Sequence, residues 1–311
     1  MISGYFLYPP YSFGLLLFVA LLNCQARVNK IKPVYSSSEQ ITGYHFANPD
    51  QVLELPASLH EISGITPVDQ NTLACIQDEK GLLYLFNTTT NQIEKEYSFY
   101  GQGDFEDIAK FGKAIYILRS DATLFEIADF VNEPTKAISY GLNIPAYDNE
   151  GLCFDPAKGR LLIASKGNAG KGEDLKNRRD IYGFDLGKKS LIEPAVASFD
   201  ERLIKKFALE NVAGVPMKEK KSGEKEPDIK FRPTAIGIHP MTGQLFLISA
   251  PDYMLFIFSA DWTLEHLELL DPALFNQAEG LAFYENGDLL ISNEGQDKKA
   301  TLLRFNYRKK G

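Results

Sequence analysis

The chain has 311 residues, 44% hydrophobic and 24% charged, with a formal net charge of −8. That balance excludes wholesale disorder, and the lack of a basic stripe excludes nucleic acid as a partner. Beyond the N-terminal segment there is room for one large domain or two small ones.

Residues 1–24 read as a signal segment. Gly14 to Leu22 is an apolar run, too short to span a bilayer but of the length of a signal-peptide core. Leu21-Leu22-Asn23-Cys24 resembles a bacterial lipobox, whose cysteine takes the lipid. Two features depart from that pattern: Asn23 stands where a small residue is usual, and residues 1–14 carry no Lys or Arg. The expectation is a lipoprotein of the bacterial cell envelope, anchored at Cys24. A cleaved periplasmic or secreted protein and a retained anchor are the alternatives. Any membrane contact is then through this N-terminal lipid or anchor alone. Residues 25–43 read as a tether, and residues 44–311 as the folded domain. Cys75 and Cys153 lie in apolar strand patterns and are expected to be buried free thiols.

Within the domain, a first strand is predicted near Gln51 to Leu55. Five similar units follow, opening at Glu61, Glu106, Glu150, Ala235 and Glu279, at intervals of 45, 44, 85 and 44 residues. Each unit begins with a short apolar run and meets a turn rich in Gly, Asn, Asp or Pro. A second run follows each turn (TLACI, AIYIL, RLLIA, QLFLI, DLLIS), and a third follows a further break (LLYLF, TLFEI, DIYGF, YMLFIF, TLLRF). Four units show a weaker fourth run. Short runs rich in β-branched and aromatic residues are strands, and about 40–50 residues per four-stranded unit is the arithmetic of a β-propeller. The last unit stops after its third strand, so the early strand is expected to complete it and close the ring. The fold class is therefore all-β: a five-bladed β-propeller, with six blades as the alternative.

The long interval holds a charged insertion at 200–231, with a helical-looking segment and then KEKKSGEKEPD, which has no strand pattern. A second insertion, Gly167 to Gly172, is glycine-rich and reads as a flexible loop, since it lacks phosphate-loop spacing.

In a propeller the first strand of each blade lines the channel, and the second runs antiparallel to it. The starts of the first strands and the ends of the second therefore share one face. This gathers Glu61, Glu106, Glu150 and Glu279 around one channel mouth, together with Asp78, Glu79, Arg119, Asp121, Lys166, Arg232, Asn293 and Glu294 as candidate ligand-binding residues. Four carboxylates around a narrow opening repel one another. A hard cation relieves that conflict, and calcium suits it because it accepts several oxygens in loose geometry. Equally, each glutamate can cap main-chain N–H groups or pair with a base to hold the ring. Arg119, Lys166 and Arg232 can bind an anion or neutralise the glutamates. The four histidines have no zinc spacing, and no nucleophile elbow is present.

The stretches Glu61-Ile-Ser-Gly-Ile, Gly103-Asp-Phe-Glu-Asp-Ile, Asn149-Glu-Gly-Leu-Cys-Phe, Arg232-Pro-Thr-Ala-Ile-Gly-Ile-His-Pro and Gln277-Ala-Glu-Gly-Leu-Ala-Phe resemble the SdiA-regulated, YjiK-like family. That resemblance implies a five-bladed propeller with a calcium site on an envelope protein, distantly akin to NHL-repeat and phytase-type propellers. Carried onto this chain, it makes Glu61, Glu106, Glu150 and Glu279 the candidate ligands. Three functions follow: a calcium-stabilised module that binds a small molecule or an envelope protein, a calcium-dependent phosphate-ester or ester hydrolase of phytase or lactonase type, or a scaffold with purely structural glutamates.

Overall fold

The computed structural model describes residues 42–170, 172 and 175–309; the lipobox and most of the tether lie outside them. An early strand, β1, spans Gln51–Glu54. Blade one is β2 (Ile62–Pro67), β3 (Thr72–Gln77), β4 (Lys80–Asn87) and β5 (Gln92–Gln102). Blade two is β6 (Phe105–Phe111), β7 (Ala114–Arg119), β8 (Thr123–Ile127) and β9 (Ala137–Gly141). Blade three is β10 (Asn149–Asp155), β11 (Arg160–Ser165), β12 (Arg178–Asp185) and β13 (Ser190–Asp200). The insertion then forms α1 (Glu201–Asn211) and a hairpin of β14 (Met217–Glu219) with β15 (Lys225–Pro227). Blade four is β16 (Ala235–Ile238), β17 (Leu245–Ser249), β18 (Met254–Phe258) and β19 (Leu264–Leu269). Blade five is β20 (Ala278–Phe283), β21 (Leu289–Asn293) and β22 (Thr301–Phe305), with β1 as its fourth strand.

Five four-stranded antiparallel sheets settle the blade number at five among the described residues. The ring closes as the sequence predicts: β1 runs antiparallel to β22, with Gln51 opposite Arg304 and Glu54 opposite Thr301. This pairing covers an edge that would otherwise be left open. The inner strands β2, β6, β10, β16 and β20 each neighbour the next, and β20 returns to β2.

Alternation along the strands sends apolar side chains to both faces of every blade, so a core forms wherever two blades meet. Five hydrophobic clusters result, one per interface. The largest lies between blades three and four and takes in Ile204 and Ala208 of α1, one helical turn apart. Asp200 caps that helix, its side chain accepting from the Arg202 N–H at 2.8 Å. The KEKKSGEKEPD run differs from its predicted loop: its ends pair as β14 and β15, with Lys218 and Lys220 bridging to Glu226. Charge alternation on a two-stranded ribbon hides the apolar period by which strands are recognised.

The candidate site at the channel mouth

Register places three of the glutamates alike. β6, β10 and β20 each shift register at their start, between Phe105 and Asp107, Asn149 and Gly151, and Ala278 and Gly280. Glu106, Glu150 and Glu279 are the extra residues, and a bulge re-aims the side chain it carries. Blade one shifts between Ile62 and Ile65. There Ser63-Gly64 occupies the place of Glu279-Gly280, and Glu61 lies two residues upstream on the exposed rim. In blade four, Ala235 lies opposite Ile248. Thr234 therefore stands in the glutamate's place, and its hydroxyl donates to the Ala278 carbonyl at 3.0 Å. The position shared by all five blades is thus Ser63, Glu106, Glu150, Thr234 and Glu279.

The three equivalent glutamates feel one another. Burial pushes the Glu106 carboxyl up to about 9, helped by Glu150, Asp104 and Glu279. Burial, with Glu150 and Glu294 adding to it, pushes Glu279 up to about 8. Burial raises Glu150 to about 7 although Lys166 opposes it. The Lys166 ammonium lies 2.6 Å from Glu150 Oε1. Burial works against its charge, but Glu150, Glu279 and Glu106 together hold its pKa above the usual range. Glu150 is itself buried, and its Oε2 has no hydrogen-bond partner among the described residues. A buried acceptor left unpaired is costly and calls for a donor or a cation.

A second acidic group lies at the rim. Burial, then Asp78 and Glu61, raises Glu294 to about 7. Burial and Glu61 likewise raise Asp78, whose Oδ1 is buried without a hydrogen-bond partner among the described residues. Glu79 is exposed beside it. Other candidates are committed elsewhere. Arg119 holds Asp121 in a two-point contact at 3.0 and 2.8 Å and lies over the rings of Phe125 and Tyr100. Asn293 is fully buried; its amide nitrogen donates to Leu274 O, in the connection before β20, and to Thr301 Oγ1, while its Oδ1 has no partner among the described residues. Arg232 is exposed and lies near the buried Arg179.

Asp107 is a residue that sequence reasoning passed over. It is fully buried and accepts from Ile108 N at 2.8 Å and from Leu152 N at 2.7 Å, joining β6 to β10. Its signal was an acid inside an apolar run, directly after a glutamate that drew the attention.

The donor set of the mouth, carboxylate oxygens in excess of bases, fits a hard cation in kind. As the side chains stand, no three His, Cys, Asp or Glu among the described residues are close enough together to hold a metal. Among the described residues no helix is long and apolar enough to cross a membrane.

No protein-family model matches the sequence, and no curated protein does. Solved structures match it. The glutaminyl cyclase of Myxococcus xanthus aligns over 83% of this chain and 95% of its own, with a TM-score of 0.53 and 12% identity. A streptogramin B lyase aligns over 82% of this chain and 98% of its own, with a TM-score of 0.44 and 13% identity. A luciferin-regenerating enzyme aligns over 83% and 95%, with a TM-score of 0.45 and 13% identity. At 12% identity the likeness to the glutaminyl cyclase is one of fold and not of chemistry, and the fold of this chain is the five-bladed β-propeller.

Proposed function

We propose that this chain is a binding module of the bacterial cell envelope, whose acidic channel mouth takes up calcium and presents a ligand- or partner-binding face. The carrying observation is the trio Glu106, Glu150 and Glu279, at equivalent bulges around one opening, with Lys166 among them. The unpartnered Oε2 of Glu150 supports a bound cation at that point. Glu106, Glu150 and Glu279 would hold the ion, and Glu61 stands at the rim, near Asp78 and Glu294. The ion would supply positive charge to a set of carboxylates that otherwise repel. The five motif stretches, occurring in order along the chain, support kinship with the SdiA-regulated, YjiK-like propellers. Cys24 supports the envelope placement through its lipobox context.

A cation bound only by the folded state must raise stability by mass action, by about 2.7 kcal/mol at a hundredfold excess over its dissociation constant. Thermal melts are therefore run with EDTA and with millimolar calcium. Calcium should raise the melting temperature of the wild type by several degrees, and Glu106→Gln and Glu279→Gln should each remove most of that rise. An unchanged wild-type melt sinks the calcium reading.

A further inference from the structure

The channel has a second end besides the mouth. A funnel of about 1060 Å³ opens at the opposite face. Its rim is built from the turns joining first to second strands, including Asp69, Pro156, Pro240 and Asn286. Its walls begin at Ile65, Ile108, Leu152, Gly237 and Leu281, just beyond the shared position; none of the mouth glutamates lines it, and Glu285 stands exposed on its rim.

Between the two ends, neighbouring inner strands approach one another closely. A Cβ on Gly64 would lie 2.7 Å from Asp107 Cα, and one on Gly280 would lie 2.9 Å from Ser63 O. Asp107 draws β10 to β6 through Leu152 N. A Cβ on Gly151 would meet Ile236 at 3.0 Å, and one on Gly237 would meet Leu281 at 2.4 Å. All five junctions of the inner ring are therefore tight between the glutamates and the funnel.

The funnel combines two kinds of wall. Ile238, Phe154 and Phe283 give it a part-exposed apolar wall, above Ile65, Leu152 and Leu281, which are buried between the blades. Each inner strand is also the edge of its sheet, so unpaired main-chain N–H and C=O groups face the channel. Lys110 lines the funnel half-buried and forms no salt bridge among the described residues. Asp69, the acid that feels it, accepts from the N–H groups of Asn71 and Thr72 through Oδ1. Arg304 is committed to Asp288. Next to Lys110, Phe111 is exposed and packs on Phe154 with ring centroids 4.5 Å apart.

We infer that this funnel is a second binding site, independent of the acidic mouth, for a small amphipathic anion: an apolar body against Ile238, Phe154 and Phe283 and a carboxylate or sulfonate at Lys110. The volume is that of a small-molecule pocket. Part-exposed apolar side chains beside a lysine that forms no salt bridge among the described residues favour an apolar body that carries an anionic group.

Anilinonaphthalene sulfonate tests it, having an aromatic body and one anionic group, with laurate as competitor. Probe fluorescence should rise on adding the folded wild-type protein, and laurate should displace the probe. Lys110→Glu should weaken both at least about tenfold, equivalent to about 1.4 kcal/mol. Ile238→Glu, which puts a charge in the wall at a part-exposed position, should abolish binding. Glu106→Gln should leave it unchanged. Each variant's melting curve checks that the ring is intact. No fluorescence rise, no displacement by laurate, binding that survives both Lys110→Glu and Ile238→Glu, or binding lost in Glu106→Gln would each overturn the inference.

Discussion

At the scale of the residue, the mouth is a set of carboxyls held away from their ordinary ionisation. Glu150, Glu279 and Glu106 ionise near 7, 8 and 9 in the folded ring, against 4.5 for an ordinary glutamate. A carboxyl raised in the folded state binds its proton more tightly there than in the unfolded chain. Its contribution is fully present below 4.5 and is lost as the pH rises through the folded value. Without divalent cations, the melting temperature should fall by several degrees between pH 5 and 9 as this term is lost, and Glu106→Gln should flatten the fall. A profile identical in wild type and variant would refute the coupling. Sequence alone showed the glutamates and their common end of the strands. It did not show that Glu61 is out of step, because a letter match cannot see a bulge: Ser63-Gly64, not Glu61-Ile62, fills the shared place. It also missed Asp107, whose role depends on the N–H of Leu152, 45 residues away.

At the scale of the element, the inner strands approach so closely that side-chain size at the ring decides whether it closes. Gly64→Ala would put a methyl 2.7 Å from Asp107 Cα and 2.8 Å from Asp107 Oδ1. Overpacking of this kind costs about 1–3 kcal/mol, so the variant should melt several degrees lower. Gly101→Ala, in β5 with nothing within 4 Å, is the control and should melt close to wild type. Equal melts for the two would show the ring to be looser than drawn. The strands themselves were legible because alternation and turn residues repeat in every unit. Four of the five hairpins between first and second strands turn on a positive-φ glycine (Gly112, Gly159, Gly243 and Gly287), and the other uses the Asp69 side chain. The β14–β15 hairpin was illegible for the converse reason: β14 is exposed throughout, β15 buries only Pro227, and charged residues fill most of both strands.

At the scale of the molecule, the five blades and their closure were readable from spacing, because repetition reports a whole architecture and not one contact. The funnel was not readable, since its walls come from five separate strands and its emptiness has no letter. The closure can be tested directly. A chain beginning at Leu55 lacks β1 and leaves β22 bare; it should melt far below wild type and self-associate on a sizing column. A monomer of unchanged stability would mean that β1 is ornamental. The pairing of Gln51 with Arg304 has a further consequence during synthesis. Blades one to four can form as their residues emerge, but β1, made first, must wait for a partner made last. A message cut short anywhere before Thr301 yields a product whose opening strand never finds its mate, so late nonsense changes in this gene should be as damaging as early ones.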